Sequence, residues 1–442
     1  MTRKKKTLAI GAAIALAATV LTACGSNNDS APAGSGGSEG EGASTLRYLT
    51  WTYSGRNVST DAWIQDAKDQ LNVTIDMQNV PSDQYGTTLK TKFASDDLPD
   101  LVMTHGIDKN LYMIAEKLSI QSDQFVDLSD LPSVAEFLPS VIEARKNNPD
   151  GKLYYVPVST NALGVLYNKQ VFEDNGIAVP TNIEEYTAAM DKLKAAGIAP
   201  MAGGFKDTWA AQIVPFIAFG QYINAKDETI REKLATGELK YADIADDVKK
   251  VLNVQLDWAE KGYFSDDYLG TDANIASQMV ATGKAAMMVT GTWQLSVIQS
   301  ANPDAEIGFF PLPLNEPGEP TVLPTSADEG MMINAKTKDV ETAKKAMDLY
   351  LSAENQSRII QDLNGIPTNT KVQVDNPFVE EVQGYMETAE VQPDWWATNG
   401  NYQPTGTTFN MEKQMQNLLA KGITPDEFIA DYDAANAKAL NK

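Results

Sequence analysis

The side chains able to do chemistry in this chain of 442 residues are unevenly stocked. It has one histidine, His105, and one cysteine, Cys24, against 59 carboxylates, 7 tryptophans and 16 tyrosines. A single imidazole supplies too few nitrogen ligands for a zinc hydrolase. A Ser-His-Asp triad would have to use His105, and no Gly-x-Ser-x-Gly segment presents a nucleophile. Asp96-Asp97 and Asp266-Asp267 lack the spacing of a calcium loop and read as solvated turns. No metal or other cofactor is expected. With so many acidic residues, a carboxylate pair spaced for glycoside hydrolysis is available by chance, so a secreted glycoside hydrolase stays open on composition alone.

What remains is stacking and hydrogen bonding. Trp51 ends the first strand of the sequence, the side at which open α/β sheets hold ligands. Trp209 closes the loop Gly203-Gly-Phe-Lys-Asp-Thr-Trp, where glycines let backbone approach a ligand and Asp207 stands beside it. Trp293 follows Thr290-Gly-Thr. Trp395 and Trp396 lie in Asp394-Trp-Trp-Ala-Thr-Asn-Gly, a loop too polar for a core, and adjacent tryptophans cannot both point inward from an extended segment. Tyr53 and Tyr402 complete the aromatic set. Such rings serve either as core or as platforms for flat C–H surfaces.

The elements that position these residues start after an export signal. Arg3 to Lys6 form a positive patch, an apolar run extends from Leu8 to Val20, and small residues lead to Cys24. This is the grammar of a secretory signal, too short to span a ~30 Å hydrocarbon core. From Gly25 to about Ser44, Gly, Ser, Asn, Ala and acidic residues make a flexible tether (1–24 signal, 25–45 tether). Cys24 cannot form an intramolecular disulfide, so the exported body must rely on a large core, and about 400 residues suggest two domains. The net charge of −23 disfavours nucleic acid and polybasic membrane contacts.

Folded structure is expected from Leu46. Leu46–Trp51, Asn72–Met77 and Leu101–Met103 read as strands, with helices carrying Trp63, Ile64, Ala67 and Leu71, then Tyr85 to Ala94, between them. Strands alternating with helices argue for parallel α/β layers. Thr181-Asn-Ile-Glu184 and Thr424-Pro-Asp-Glu427 read as capping boxes, Gly197 as a helix stop, and Val340, Ala343, Met347, Tyr350 and Leu351 as an amphipathic helix.

Several segments then resemble one family in its own order. Leu21-Thr-Ala-Cys24 resembles the bacterial lipobox, whose cysteine is acylated. Phe93-Ala-Ser-Asp-Asp-Leu-Pro-Asp-Leu101, the segment Gly151 to Tyr167-Asn168-Lys169, Ala281-Thr-Gly-Lys-Ala-Ala-Met-Met-Val-Thr-Gly-Thr-Trp293 and Gly330-Met-Met-Ile-Asn-Ala335 are similar to family 1 extracellular solute-binding proteins. These are the sugar-capturing subunits of ABC importers, relatives of maltose-binding protein. The resemblance implies an α/β, two-lobed, type II binding-protein fold with a ligand cleft between lobes joined by hinge crossovers. It places crossings near Ser159–Gly164 and Pro324–Glu329, with 46–160 and 276–325 in the N-terminal lobe and 161–275 and 326–442 in the C-terminal lobe. With the lipobox it implies a lipid-anchored protein at the outer face of the cell membrane, a sugar ligand, permease partners and no catalysis. Several separated aromatic platforms favour an oligosaccharide, and a monomer is the default expectation. The family's tryptophan at Trp293 stacks on sugar, and the loop of Trp209 and Asp207 borders the cleft. Asp328 and Glu329 fall on the second crossing, Asn161 on the first, and His105 stands just past a strand that ends at the cleft. Trp51, Trp395 and Trp396 join the expected ligand set. The same fold carrying a non-sugar solute is the remaining alternative.

Overall fold

A computed structural model describes residues 44–51, 57–104, 124–146, 151–393 and 409–440. The export signal, Cys24, His105, Trp395 and Trp396 lie outside them, as does the side chain of Asp328. Two sheets organise the rest. The first has the order β2-β1-β3-β9, from Val73–Val80 (β2), Ser44–Trp51 (β1), Leu101–Thr104 (β3) and Gly330–Ile333 (β9). β1 runs parallel to β2 and β3, and β9 closes the sheet antiparallel to β3. Ser44 and Thr45, expected at the end of the tether, already pair with Val73 and Thr74.

The second sheet is built around a long central strand, Ser159–Asn168 (β4). Ala285–Gly291 (β6), Ile307–Phe310 (β7), Val322–Asp328 (β8) and Ile366–Pro367 (β10) all pair with it antiparallel. The parallel layering expected from the sequence therefore holds for β1, β2 and β3 but not around β4. Ala199–Met201 (β5) extends the sheet beyond β6, and Glu390–Pro393 (β11) beyond β8.

Each sheet has its own core. The first gathers residues between Leu46 and Val158 and between Met331 and Leu363. The second sheet is covered on both faces by residues from Ala162 to Leu323 and from Phe378 to Tyr432. Helices lock onto these cores through caps and rings. Trp63 of the helix Asn57–Leu71 donates its indole N–H to the Ala346 carbonyl at 3.1 Å and meets Tyr48 and Tyr350 edge-on. Thr424 and Glu427 form the expected capping box, with both Thr424 donors on Glu427 Oε2 and the Glu427 N–H on Thr424 Oγ1. The box near Thr181 is shifted by one residue. Asn182 is the N-cap, accepting from the Glu185 N–H, and Glu185, not Glu184, reaches back to Thr181.

The pairing changes the expected division of the chain. Segment 276–325, expected with the first lobe, contributes β6, β7 and most of β8 to the second sheet. The stretch after it, expected with the second lobe, sends β9 and the helices Val340–Leu351 and Ala353–Leu363 to the first core. The chain therefore crosses three times. The Val158 N–H donates to the Glu329 carbonyl at 2.9 Å, where the first two crossings touch. The third runs through β10, with Thr368 Oγ1 donating to the Pro157 carbonyl. Glu329 and Asn364 both take left-handed backbone, with φ of 52° and 48°, at the turn into β9 and at the end of the helix before β10.

Candidate functional site

The convergence of candidate residues lies where β6 ends. After Gly291 the chain turns through Thr292 and Trp293 into the helix Gln294–Ala301. A methyl group at position 291 would stand 1.9 Å from the Trp293 ring, so the indole folds across the α-carbon of Gly291. Only glycine permits that approach. Thr292 then ties the turn to the first crossing. Its N–H donates to the Ala162 carbonyl at 3.0 Å, and its hydroxyl lies 3.4 Å from Asn161 Oδ1. Asn161 is buried at 3% exposure on β4, opposite Ser326 of β8.

Trp209 approaches from another element. It sits in the short 3-10 turn Thr208–Gln212, held from behind by the helix Met411–Leu419. Thr208 Oγ1 donates to Glu412 Oε2 at 2.9 Å, and Gln416 Nε2 donates to the Phe205 carbonyl at 2.8 Å. The Trp209 and Trp293 rings lie 6.2 Å apart at 57°, and both are only partly buried. Two tilted indoles are thus anchored against one core, each with surface left over, an arrangement able to offer an apolar ring face.

The other expected residues separate by role. Asp207, next to Trp209, accepts the Ala273 N–H on Oδ2 at 2.9 Å and so satisfies the start of the helix Ala273–Ala281. The paired glycines of that loop serve packing. A methyl group on Gly203 would meet Tyr268 at 2.6 Å, and one on Gly204 would meet the Ala273 backbone at 2.8 Å. The backbone approach expected for a ligand is made here to the protein itself. Glu329 is buried at 2% exposure on the second crossing, beyond the Ser159–Asp328 pair from Asn161. Trp51 belongs to the first core at 3% exposure, edge-on to Tyr85 at 4.9 Å, while Tyr85 donates its hydroxyl to the Met103 carbonyl.

Trp209, Trp293 and Asn161 are thus brought together around the end of β6, with Asp207 on the same turn as Trp209. The sequence reading passed over Thr290 and Thr292, whose signal was only their place in Thr290-Gly-Thr-Trp293. It also passed over Glu412 and Gln416, far away in sequence and without a motif. Among the described residues no group of three or more His, Cys, Asp or Glu side chains gathers to hold a metal ion, and no helix is long and apolar enough to cross a membrane.

This arrangement has known counterparts. Residues 56–357 match the family model for bacterial extracellular solute-binding proteins. The chain is 25% identical over 318 residues to the multiple sugar-binding protein of Streptococcus mutans, covering 69% of this chain and 70% of that one. It is 22% identical over 346 residues to the melibiose/raffinose/stachyose-binding protein of Bacillus subtilis, covering 74% and 75%. Among solved structures, a solute-binding protein in complex with raffinose superposes with a TM-score of 0.74 at 21% identity, covering 90% of this chain and 99% of that one. A sugar transporter protein of Bacillus licheniformis in complex with stachyose gives 0.75 at 19% identity, covering 89% and 100%. These likenesses fix the architecture as the two-lobed, type II α/β binding-protein fold.

Proposed function

The chain belongs to the bacterial extracellular solute-binding proteins, and from that membership we propose that it captures an oligosaccharide between its lobes for the permease of an ABC importer. It is a binding protein and not an enzyme, as its relatives are. The observation that carries the sugar reading is the Trp209–Trp293 pair, 6.2 Å apart and rooted in the second core. An indole face recognises the C–H face of a pyranose, and the buried polar groups beside the tilted pair, Asn161 and Thr292, supply hydroxyl partners. The names of the relatives, which include raffinose and stachyose binders, agree with a cargo of several rings. Asp328 and Glu329 on the second crossing, with Asp207, are the carboxylates proposed to complete the set. His105, Trp395 and Trp396 are proposed to join it from outside the platform, whereas Trp51 is taken up by the first core.

Calorimetric titration of the purified protein with raffinose, maltotriose and cellotriose tests this. Saturable binding without cleavage is expected for at least one of them. Trp293→Ala should weaken that binding by about thirtyfold or more with the melting temperature of the free protein retained, the scale of an interfacial aromatic hot spot. Unchanged affinity in that variant, or silence across the panel, would remove the sugar reading.

The same reading holds the protein at the cell surface through acylated Cys24, since Leu-Thr-Ala-Cys stands at the end of the export signal. Stable attachment takes more than one acyl chain. Labelled palmitate should enter the wild-type protein and not Cys24→Ala, which should appear in the medium. Release of the wild type into the medium would end the anchor proposal.

A further inference from the structure

Two asparagines close the third crossing on itself. The helix Ala353–Leu363 ends at Asn364, whose left-handed backbone turns the chain out of the first core. The helix Pro377–Thr388 begins at its N-cap, Asn376. Asn376 Oδ1 accepts the Phe378 N–H at 3.0 Å, and Asn376 Nδ2 donates to Asn364 Oδ1 at 3.0 Å. Leu363 belongs to the core of the first lobe and Phe378 to a core of the second. One side-chain bond therefore joins the end of a first-lobe helix to the start of a second-lobe helix.

The chain between the two asparagines is held first by its neighbours. β10 pairs with β4, the Leu138 N–H donates to the Thr368 carbonyl at 2.9 Å, and the Thr370 N–H donates to the Glu136 carbonyl at 2.8 Å. From Val372 to Asp375 it forms neither strand nor helix, and the asparagine bond spans that gap. The clasped helix Ala353–Leu363 also comes against the helix Gln294–Ala301, which starts at the Trp293 turn. A bond that holds the first helix in place thus bears on how the lobes meet beside the tryptophans. Affinity scales with the fraction of free protein in the binding arrangement, so a tie remote from the ligand can set it. We propose that Asn364 and Asn376 form an interlobe clasp, a positioning pair that keeps the lobes in the arrangement that takes the sugar without touching the sugar itself. The proposal rests on the sugar-binding reading and adds to it a control of affinity at the third crossing.

Two substitutions break the bond and spare the backbone beside it. Asn364→Gly suits the left-handed turn, and Asn376→Ser keeps a helix cap. By calorimetry with raffinose, maltotriose and cellotriose, each should weaken binding about threefold to tenfold, the worth of one hydrogen bond. The factor should be the same for each sugar that binds, and the double variant should lose no more than either single one. Should one variant fail to fold, the other carries the same expectation. Asn364→Asp and Asn376→Asp should each retain affinity within about twofold, because the remaining amide can donate to the new carboxylate, whereas both together set two like charges face to face and should bind as weakly as Asn364→Gly. X-ray scattering of sugar-free Asn364→Gly should give a larger radius of gyration than wild type, and saturating sugar should bring the two together. Additive losses in the double variant, losses that differ between sugars, or affinity and size unchanged in the single variants would overturn the clasp and leave sugar binding standing. A folded wild-type protein that binds none of the sugars would overturn both.

Discussion

Ser159 shows how much a single atom weighs at the crossings. Its side chain is fully buried at the start of β4, where the chain first passes between the lobes, and its hydroxyl makes no hydrogen bond among the described residues. Gly365 of the third crossing presses on it, since a methyl group there would lie 2.9 Å from Ser159 Cβ. An unsatisfied buried hydroxyl costs more than the bond it forgoes, so its removal should help. Ser159→Ala is expected to raise the unfolding free energy by about 1 kcal/mol, read by urea denaturation with an unchanged slope. A loss of stability would mean that the hydroxyl is satisfied in solution. At this same scale, the close packing of Trp293 on Gly291 could be read from glycine beside tryptophan, whereas Gly203 and Gly204 pack on Tyr268 and Ala273 rather than on Trp209. The burial of Trp51 could not be read, because an aromatic at a strand end looks the same whether it faces a ligand or, as here, a core.

At the scale of elements, the helices and the parallel strands β1, β2 and β3 were legible, and the rest of the sheet pairing was not. Helix ends leave backbone groups that local side chains must satisfy, so Thr424, Glu427 and Gly197 announce themselves within a few residues. The buried strands β6 and β9 carry no such signal. β6 reads Ala-Ala-Met-Met-Val-Thr-Gly and β9 reads Gly-Met-Met-Ile, nearly all buried, so no alternation says which sheet either joins. That is why 276–325 was expected on the wrong side and the third crossing was not foreseen. The segment Tyr167-Asn168-Lys169, which carries much of the resemblance, turns out to hold elements together. Asn168 caps the helix Lys169–Asp174 through Val171 and donates Nδ2 to the Val280 carbonyl at 3.0 Å. Lys169 pairs with Glu381 at 3.1 Å, tying the helix that follows β4 to the helix Pro377–Thr388. Burial and the Glu381 carboxylate push the Tyr167 phenol up to about 12, so that ring stays neutral against Phe172 and Phe310. A family is thus recognisable from its scaffold, through residues that hold its elements together.

At the scale of the whole molecule, the charge of −23 and the proposed cargo make a joint prediction. A field of that size attracts cations and repels anions, and salt reduces both effects, the screening length falling from about 10 Å at 0.1 M to about 3 Å at 1 M. A neutral sugar held by indole faces and hydroxyl bonds has no net charge for the field to act on. The contacts that hold it are short, and stacking on Trp209 and Trp293 is not weakened by added ions. The dissociation constant for raffinose, or for whichever neutral sugar binds, should therefore change by less than about twofold between roughly 0.05 and 0.5 M sodium chloride. Calorimetry at fixed pH reads this directly. Capture of a cationic solute would weaken steadily across the same range, and capture of an anion would strengthen as repulsion is screened. A change of about tenfold or more in either direction would mean that charge rather than stacking holds the cargo, and would move the assignment from a neutral oligosaccharide to an ionic solute carried by the same fold.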